Sequence, residues 1–327
     1  MLHRFAQFVA GCTVLLVLAG SLVTSTDSGL SVPDWPTTYG WNLFTFPPSM
    51  WVGGIFYEHG HRLIASGVGL LTIVLAGWLW LGEPRRWMGW LGIAALFAVV
   101  AQGLLGGLTV IFFLPPAIST AHAALAEIFL CLTFAIALFT SRGWIETRPR
   151  VDDRTLRRVA AATTTLVFAQ ILLGAAMRHT DAGLAIPDFP LMFGGLLPDH
   201  WDAKIAVHFA HRVGALVVSL TVAATAAHIW FWHRQAADLT RPATLLLSLA
   251  AVQVTLGAFT VLSQRAVWIN SLHVVCGALV LATSLVLTLR TWRVIFRDAP
   301  GPNSVEATYV RRGGLARTVD TPQAGQA

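Results

Sequence analysis

Eight apolar stretches, each about 20 residues long, recur along this chain of 327 residues, and each is long enough to cross a hydrocarbon core of roughly 30 Å. They lie near 5–24, 61–82, 88–112, 119–141, 155–177, 204–232, 242–262 and 268–290. In lipid a spanning segment must satisfy its own backbone hydrogen bonds, so these stretches are expected to be helices. Composition agrees: 12% of residues are charged, against roughly 25% in a soluble domain. The expected fold class is an all-α polytopic membrane protein. The first span follows Arg4 as a signal peptide would, but no A-x-A-like cleavage site comes after it, so it is read as a transmembrane helix.

Charge placement sets the orientation. Of the 22 Lys and Arg residues, 17 fall at the N-terminus, in the connections after even-numbered spans or in the tail, and five fall on the other side. Positive residues mark the cytoplasmic side, so both termini are expected there. The basic pI near 10.0 then reports topology and does not indicate nucleic-acid binding. Cys12, Cys131 and Cys276 all lie inside apolar spans, without a C-x-x-C pair, and read as small buried residues.

The chain is a tandem repeat. TDSGLSVPDWPTTYG at 26–40 returns as TDAGLAIPDFPLMFG at 180–194, matching Asp27 to Asp181 and Asp34 to Asp188. Farther on, His61-Arg62 matches His211-Arg212, Gln102 and Gly106 match Gln253 and Gly257, and His122 matches His273. Each copy holds four spans. Four is even, so the copies share one membrane orientation and are expected to be two four-helix bundles related by a pseudo-twofold axis along the membrane normal. The boundaries read as an N-terminal bundle over 1–141, a basic cytoplasmic linker over 142–154, a C-terminal bundle over 155–297 and a polar cytoplasmic tail over 298–327.

Four histidines sit at repeated positions: His61, His122, His211 and His273. Each lies at the outer end of an even-numbered span, so each half places two imidazoles at one depth on different helices. Facing side chains in a bundle core commonly build cofactor sites, and paired imidazoles suit the two axial positions of a haem iron. Arg62 and Arg212 each follow a candidate ligand and offer a fork matched to the propionate carboxylates. His3, His179, His200, His228 and His233 have no repeated partner and read as interfacial residues. One difference between the copies stands out, because Glu58 precedes His61 by one turn where His208 precedes His211. A carboxylate there can move protons or cap the helix N-terminus. On this asymmetry the chemistry is assigned to the first half, and an electron-transfer or structural role to the second. The duplicated Gly/Pro loops read as lids over the two sites. Glu127 has no acidic match in the eighth span and stays an open candidate.

Taken together, the E-x-x-H-R of Glu58–Arg62, the His211-Arg212 pair, His122, His273 and the paired T-D-x-G-L-x-x-P-D-[WF]-P loops resemble the haem A synthase family over about residues 5–292. The resemblance implies an eight-helix membrane enzyme that oxidises the C8 methyl group of haem O to the formyl group of haem A. It implies that His61 and His122 hold the substrate haem, that His211 and His273 hold a resident haem b, and that Glu58 is the catalytic acid. The partners it implies are haem O synthase, the assembly of cytochrome c oxidase, an electron donor and membrane lipid. The location it implies is a bacterial plasma membrane, with the haem sites toward the outside. Many bacterial members carry a cysteine pair in the first outer loop, and residues 25–60 here contain no cysteine. The alternatives are a dihaem b-type electron-transfer cytochrome, whose two sites would have no reason to differ at Glu58, and a repeat-built transporter using the histidines as a proton relay.

Overall fold

The structure, a computed structural model, describes residues 1–146 and 153–297, the last five as backbone only. The expected tail over 298–327 and the middle of the expected linker lie outside the described residues. Eight helices have the length and apolarity to cross a membrane. They are α1 (Leu2–Ser25), α2 (Gly54–Gly82), α3 (Arg86–Ile111), α4 (Pro116–Phe139), α6 (Arg154–His179), α7 (Ala203–Trp232), α8 (Ala237–Leu262) and α9 (Val267–Arg297), with a short α5 (Arg142–Glu146) inside the expected linker.

The helices start where their sequences supply a start. Pro116 opens α4 at a position where its missing N–H is not needed. Asp153 caps α6 by accepting the Leu156 N–H at 2.9 Å, and Asp202 caps α7 by accepting that of Ile205 at 2.8 Å. α2 begins seven residues before its apolar run, at Gly54. Apolarity marks the lipid-crossing part of a helix, whereas the helix itself continues into the polar segment Tyr57–His59 under the outer loop.

Within each half, consecutive helices pack as antiparallel neighbours. The halves meet through α1 against α9, α4 against α6, and α4 against α9. Exchanging α1–α4 for α6–α9 leaves this pattern of neighbours unchanged, which is consistent with the expected pseudo-twofold. One apolar core in the first half centres on Leu75, Leu79, Met88 and Phe129, and one in the second on Ile229, Leu246 and Leu281. Trp80 and Trp90 meet edge to face at 5.4 Å at the α2–α3 turn, largely exposed, as aromatic side chains do at a membrane boundary.

Candidate functional site: two histidine pairs beneath clamped loops

The repeat extends to the backbone. Asp27 and Asp181, Tyr39 and Phe193, and Gly40 and Gly194 all adopt positive φ, at 52° and 54°, 50° and 56°, and 77° and 80° respectively. In each loop an aspartate gathers the turn. Asp34 accepts the N–H groups of Tyr39 and Gly40 at 2.7 and 2.9 Å and the Thr37 hydroxyl at 2.5 Å. Asp188 accepts those of Phe193 and Gly194, both at 2.8 Å. Burial opposes ionisation of Asp34, but the donors from Gly40, Thr37 and Tyr39 outweigh it and hold its pKa below the usual carboxylate value. At Asp188 the Gly194 N–H leads the same downward shift. Both aspartates organise their loops.

Each loop is fastened to its bundle by the arginine after the candidate ligand. Arg62 donates through Nη1 to the Asp34 and Thr37 carbonyls at 2.7 and 2.9 Å, and through Nη2 to the Val32 carbonyl at 2.9 Å and to Glu58 Oε1 at 2.7 Å. Arg212 repeats the arrangement, reaching the Leu191, Ile186 and Asp188 carbonyls at 3.0, 3.1 and 2.7 Å and His208 Nε2 at 3.2 Å. A guanidinium fork suits several carbonyls at once. Both side chains therefore act as loop clamps, a use not anticipated from the sequence.

Glu58 and His208 occupy one structural position. Glu58 Oε2 accepts the Val32 N–H at 2.7 Å, and His208 Nδ1 accepts the Ile186 N–H at 3.2 Å. Glu58 is thus more than a helix cap, because it joins the loop to α2. Its neighbour His59 faces elsewhere. Fully buried, it packs against Phe46 and Trp51 at 4.8 and 4.7 Å and meets the Thr38 hydroxyl at 3.0 Å.

The four repeated histidines lie within the first three turns of α2, α4, α7 and α9, below the loops. His61 and His122 lie on α2 and α4, and His211 and His273 on α7 and α9, so each half carries its pair near the starts of two alternate helices of one bundle. Every one of the four rings presses its Cε1 edge against a glycine of a neighbouring helix. A Cβ added at Gly20 would stand 3.1 Å from His61, at Gly106 3.1 Å from His122, at Gly174 2.9 Å from His211 and at Gly257 3.0 Å from His273. Spacings that short are tighter than ordinary carbon contacts. The four glycines form two repeat pairs, Gly20 with Gly174 and Gly106 with Gly257. The second pair is visible in the matched motifs, and the first lies upstream of the duplicated loop. Gln102 Nε2 lies 3.4 Å from His122 Nε2 and donates to the His122 carbonyl at 2.9 Å, and Gln253 Nε2 stands 3.5 Å from His273 Nε2.

The Nδ1 atoms of His61, His122 and His273 are buried without a hydrogen-bond partner. An orphaned buried polar atom costs about 1–3 kcal/mol. Three rings so placed, in two pairs and each in a slot that a glycine keeps open, fit imidazoles whose Nδ1 carries the ring proton and whose Nε2 is left to hold a group. Haem iron takes such nitrogens axially, so the donor set fits a haem in each half.

Other expected interfacial histidines are placed differently. His228 and His233 both contact Asp153 Oδ2, at 2.7 and 2.8 Å, and so tie the C-terminal end of α7 to the cap of α6. Arg178, near the end of α6, donates to the Ser25 hydroxyl of α1 at 3.2 Å. Glu127 is buried in α4, with no hydrogen-bond partner at Oε2.

Fold and site together define a duplicated eight-helix membrane protein with a convergent histidine pair under a clamped loop in each half. Residues 52–285 match the family model described as cytochrome oxidase assembly protein. The chain belongs to that family. It is 31% identical to the heme A synthase of Symbiobacterium thermophilum, over 80% of this chain and 85% of that one. Against the heme A synthase of Rhizobium etli it is 30% identical over 91% of both chains, and against that of Shouchella clausii 28% identical over 81% of this chain and 88% of the other.

Proposed function

We infer that this membrane protein is a haem A synthase, oxidising the C8 methyl of haem O to the formyl group of haem A for the assembly of cytochrome c oxidase. The observation that carries the reading is the pairing of histidines with opposed glycines in both halves, combined with a carboxylate in one half only. The comparisons support the synthase in preference to an electron-transfer cytochrome.

Within this reading, the N-terminal bundle over 1–141 is the catalytic half, where His61 and His122 would hold the substrate haem. In the C-terminal bundle over 155–297, His211 and His273 would hold a resident haem b. A bound haem b supplies one-electron redox chemistry. The protein sits in the bacterial plasma membrane with both termini cytoplasmic and the histidines toward the outside, in keeping with the excess of Arg on the inner connections. The electron donor is then a separate reductant, since the first outer loop carries no cysteine pair.

Glu58 is the catalytic acid–base. Its Oε2 is engaged by Val32 N–H and its Oε1 by Arg62, so the carboxylate is held at a fixed place one turn before His61. Each hydroxylation moves two protons with two electrons, taken up when dioxygen is the oxygen source and released to an acceptor when water is, and Glu58 Oε1 is placed to exchange one of those protons as its bond to Arg62 lengthens. The loop over the site, fastened by the same arginine, keeps bulk water away from the reacting carbon. A propionate contact by Arg62 or Arg212 involves exchange of one of the carbonyl bonds that hold the loop, so substrate entry and loop release are coupled at one side chain.

The test is chromatographic analysis of haems extracted from the purified protein co-produced with a haem O source. Wild type yields haem A beside haem B. Glu58→Ala accumulates haem O or a hydroxylated haem. Haem B alone in both proteins overturns the synthase reading.

A further inference from the structure

The two histidine pairs differ in one supporting contact that duplication does not explain. In the second half, Gln170 of α6 reaches His211, its Nε2 lying 2.9 Å from the ring Nδ1 and 2.7 Å from the His211 carbonyl. His61, the matching residue, has no such partner; in the first half the glutamine contact falls on the other histidine, Gln102 lying 3.4 Å from His122 Nε2 and donating to the His122 carbonyl at 2.9 Å. At the loop offset, Gln170 corresponds to Leu16, an apolar residue packed on the core of the N-terminal bundle. His61 Nδ1 is accordingly among the buried atoms without a partner, and His211 Nδ1 is not.

A second difference accompanies the first. A Cβ at Gly214 would collide with Oε1 of Gln170, so that amide occupies space which only glycine leaves. At the His61–His211 offset, Gly214 corresponds to Ile64. The glutamine and the glycine that admits it therefore occur together in one half, and neither occurs in the other. A polar side chain among apolar helices is costly unless bonded, and this one is bonded to the candidate ligand.

We propose that Gln170, seated in the space left by Gly214, is a positioning residue that fixes the ring of His211 and makes the C-terminal site a retaining haem site, while the N-terminal site, whose His61 lacks such support, exchanges its haem. The proposal rests on the reading of His61 and His211 as haem ligands. When Nε2 is given to iron, Nδ1 carries the ring proton, and a half-turn of the Gln170 amide presents its oxygen to that proton. Partners of this kind hold a ligand's tautomer and orientation, and their loss typically weakens metal binding by 10–100-fold. The division of labour follows from chemistry: a substrate haem has to leave as product, whereas a resident haem has to stay.

The experiment measures haem b loss to apomyoglobin, together with the haem midpoint potential, in full-length protein carrying His61→Ala so that only the C-terminal haem is read. Gln170→Met keeps the volume and removes the hydrogen bond, and the expected result is haem loss accelerated about 10–100-fold. Gln170→Glu keeps an acceptor for Nδ1–H and strengthens it. Here haem is expected to be retained with a more negative potential, a shift that simple packing would not produce. Unchanged haem loss in Gln170→Met, or an unchanged potential in Gln170→Glu, overturns the proposal. Adding His211→Ala tests the underlying reading separately, because haem b retained there would show that His211 is no ligand at all.

Discussion

Glu58 and His208 meet equivalent backbone N–H groups, those of Val32 and Ile186, at 2.7 and 3.2 Å, and each lies against the arginine one turn later; the carboxylate accepts from both donors, whereas a neutral imidazole can accept from only one at a time. The two side chains share one anchoring duty in the two halves. What distinguishes Glu58 is therefore its charge and its capacity to carry a proton, and not its place in the scaffold.

That separation can be measured. Glu58→Gln retains an acceptor for Val32 and Arg62 while losing the titratable group. We expect it to fold, to keep its haems and to lose haem A formation by about 10²–10⁴-fold, the usual contribution of a general acid–base. Glu58→His, which copies the second half, should behave the same way. Extracted haem A per protein is the readout, and near wild-type yields from both variants would assign Glu58 to loop anchoring alone.

The opposed glycines make a prediction specific to each half. Gly106→Ala or Gly20→Ala should weaken the N-terminal site, and Gly257→Ala or Gly174→Ala the C-terminal one, because the new methyl would stand about 3 Å from the imidazole edge. Displacing a ligand ring should reduce haem affinity about tenfold or more. Haem-to-protein ratios after purification would show which site empties, and full occupancy in all four variants would contradict the packing argument.

The loops should respond to acid. Asp34 and Asp188 are held below the ordinary carboxylate pKa by their backbone donors. A depressed native pKa gives stability that is present above the unfolded value, near about 4, and is lost as pH falls through the native value. Amide exchange at Tyr39, Gly40, Phe193 and Gly194 should stay slow at pH 6 and accelerate only below about pH 4. Asp34→Asn should unprotect the first loop at every pH and spare the second.

At the end of the bundle away from the histidine pairs, Asp153 caps α6 and receives both His228 and His233. Asp153→Ala is expected to cost about 1–2 kcal/mol, the usual loss for a helix cap. That should appear as a lower thermal midpoint with haem content per folded protein unchanged. A loss of haem without a loss of stability would instead link this end of the bundle to the sites.

Much of this arrangement was legible in the sequence because it is written twice. Lipid demands long apolar helices, so the spans were visible as composition. The four histidines stood out because duplication repeated them at matching depth. Comparing copies reveals what they share, however, and Gln170 with Gly214 is what they do not share. The role of Arg62 was hidden for another reason. Its acceptors are the backbone carbonyls of Val32, Asp34 and Thr37, and a carbonyl is present at every position of every sequence. His228, His233 and Asp153 were hidden by distance along the chain.

The outer seam between the halves has one further consequence. Ser25, the last residue of α1, receives hydrogen bonds from Arg178 at 3.2 Å, Asn270 at 3.0 Å and Ser271 at 2.9 Å, so three helices meet at one hydroxyl. At the loop and span offsets, the mirror-image junction would place His179 against Ser119 and Thr120, and the Ser119 hydroxyl has no partner. The seam has lost its self-complementarity. Two copies of the N-terminal half would bring neither Arg178 nor Asn270 to Ser25, and two copies of the C-terminal half would lack Ser25 itself. The two halves are unlike at this junction, and a second copy of either would not rebuild it.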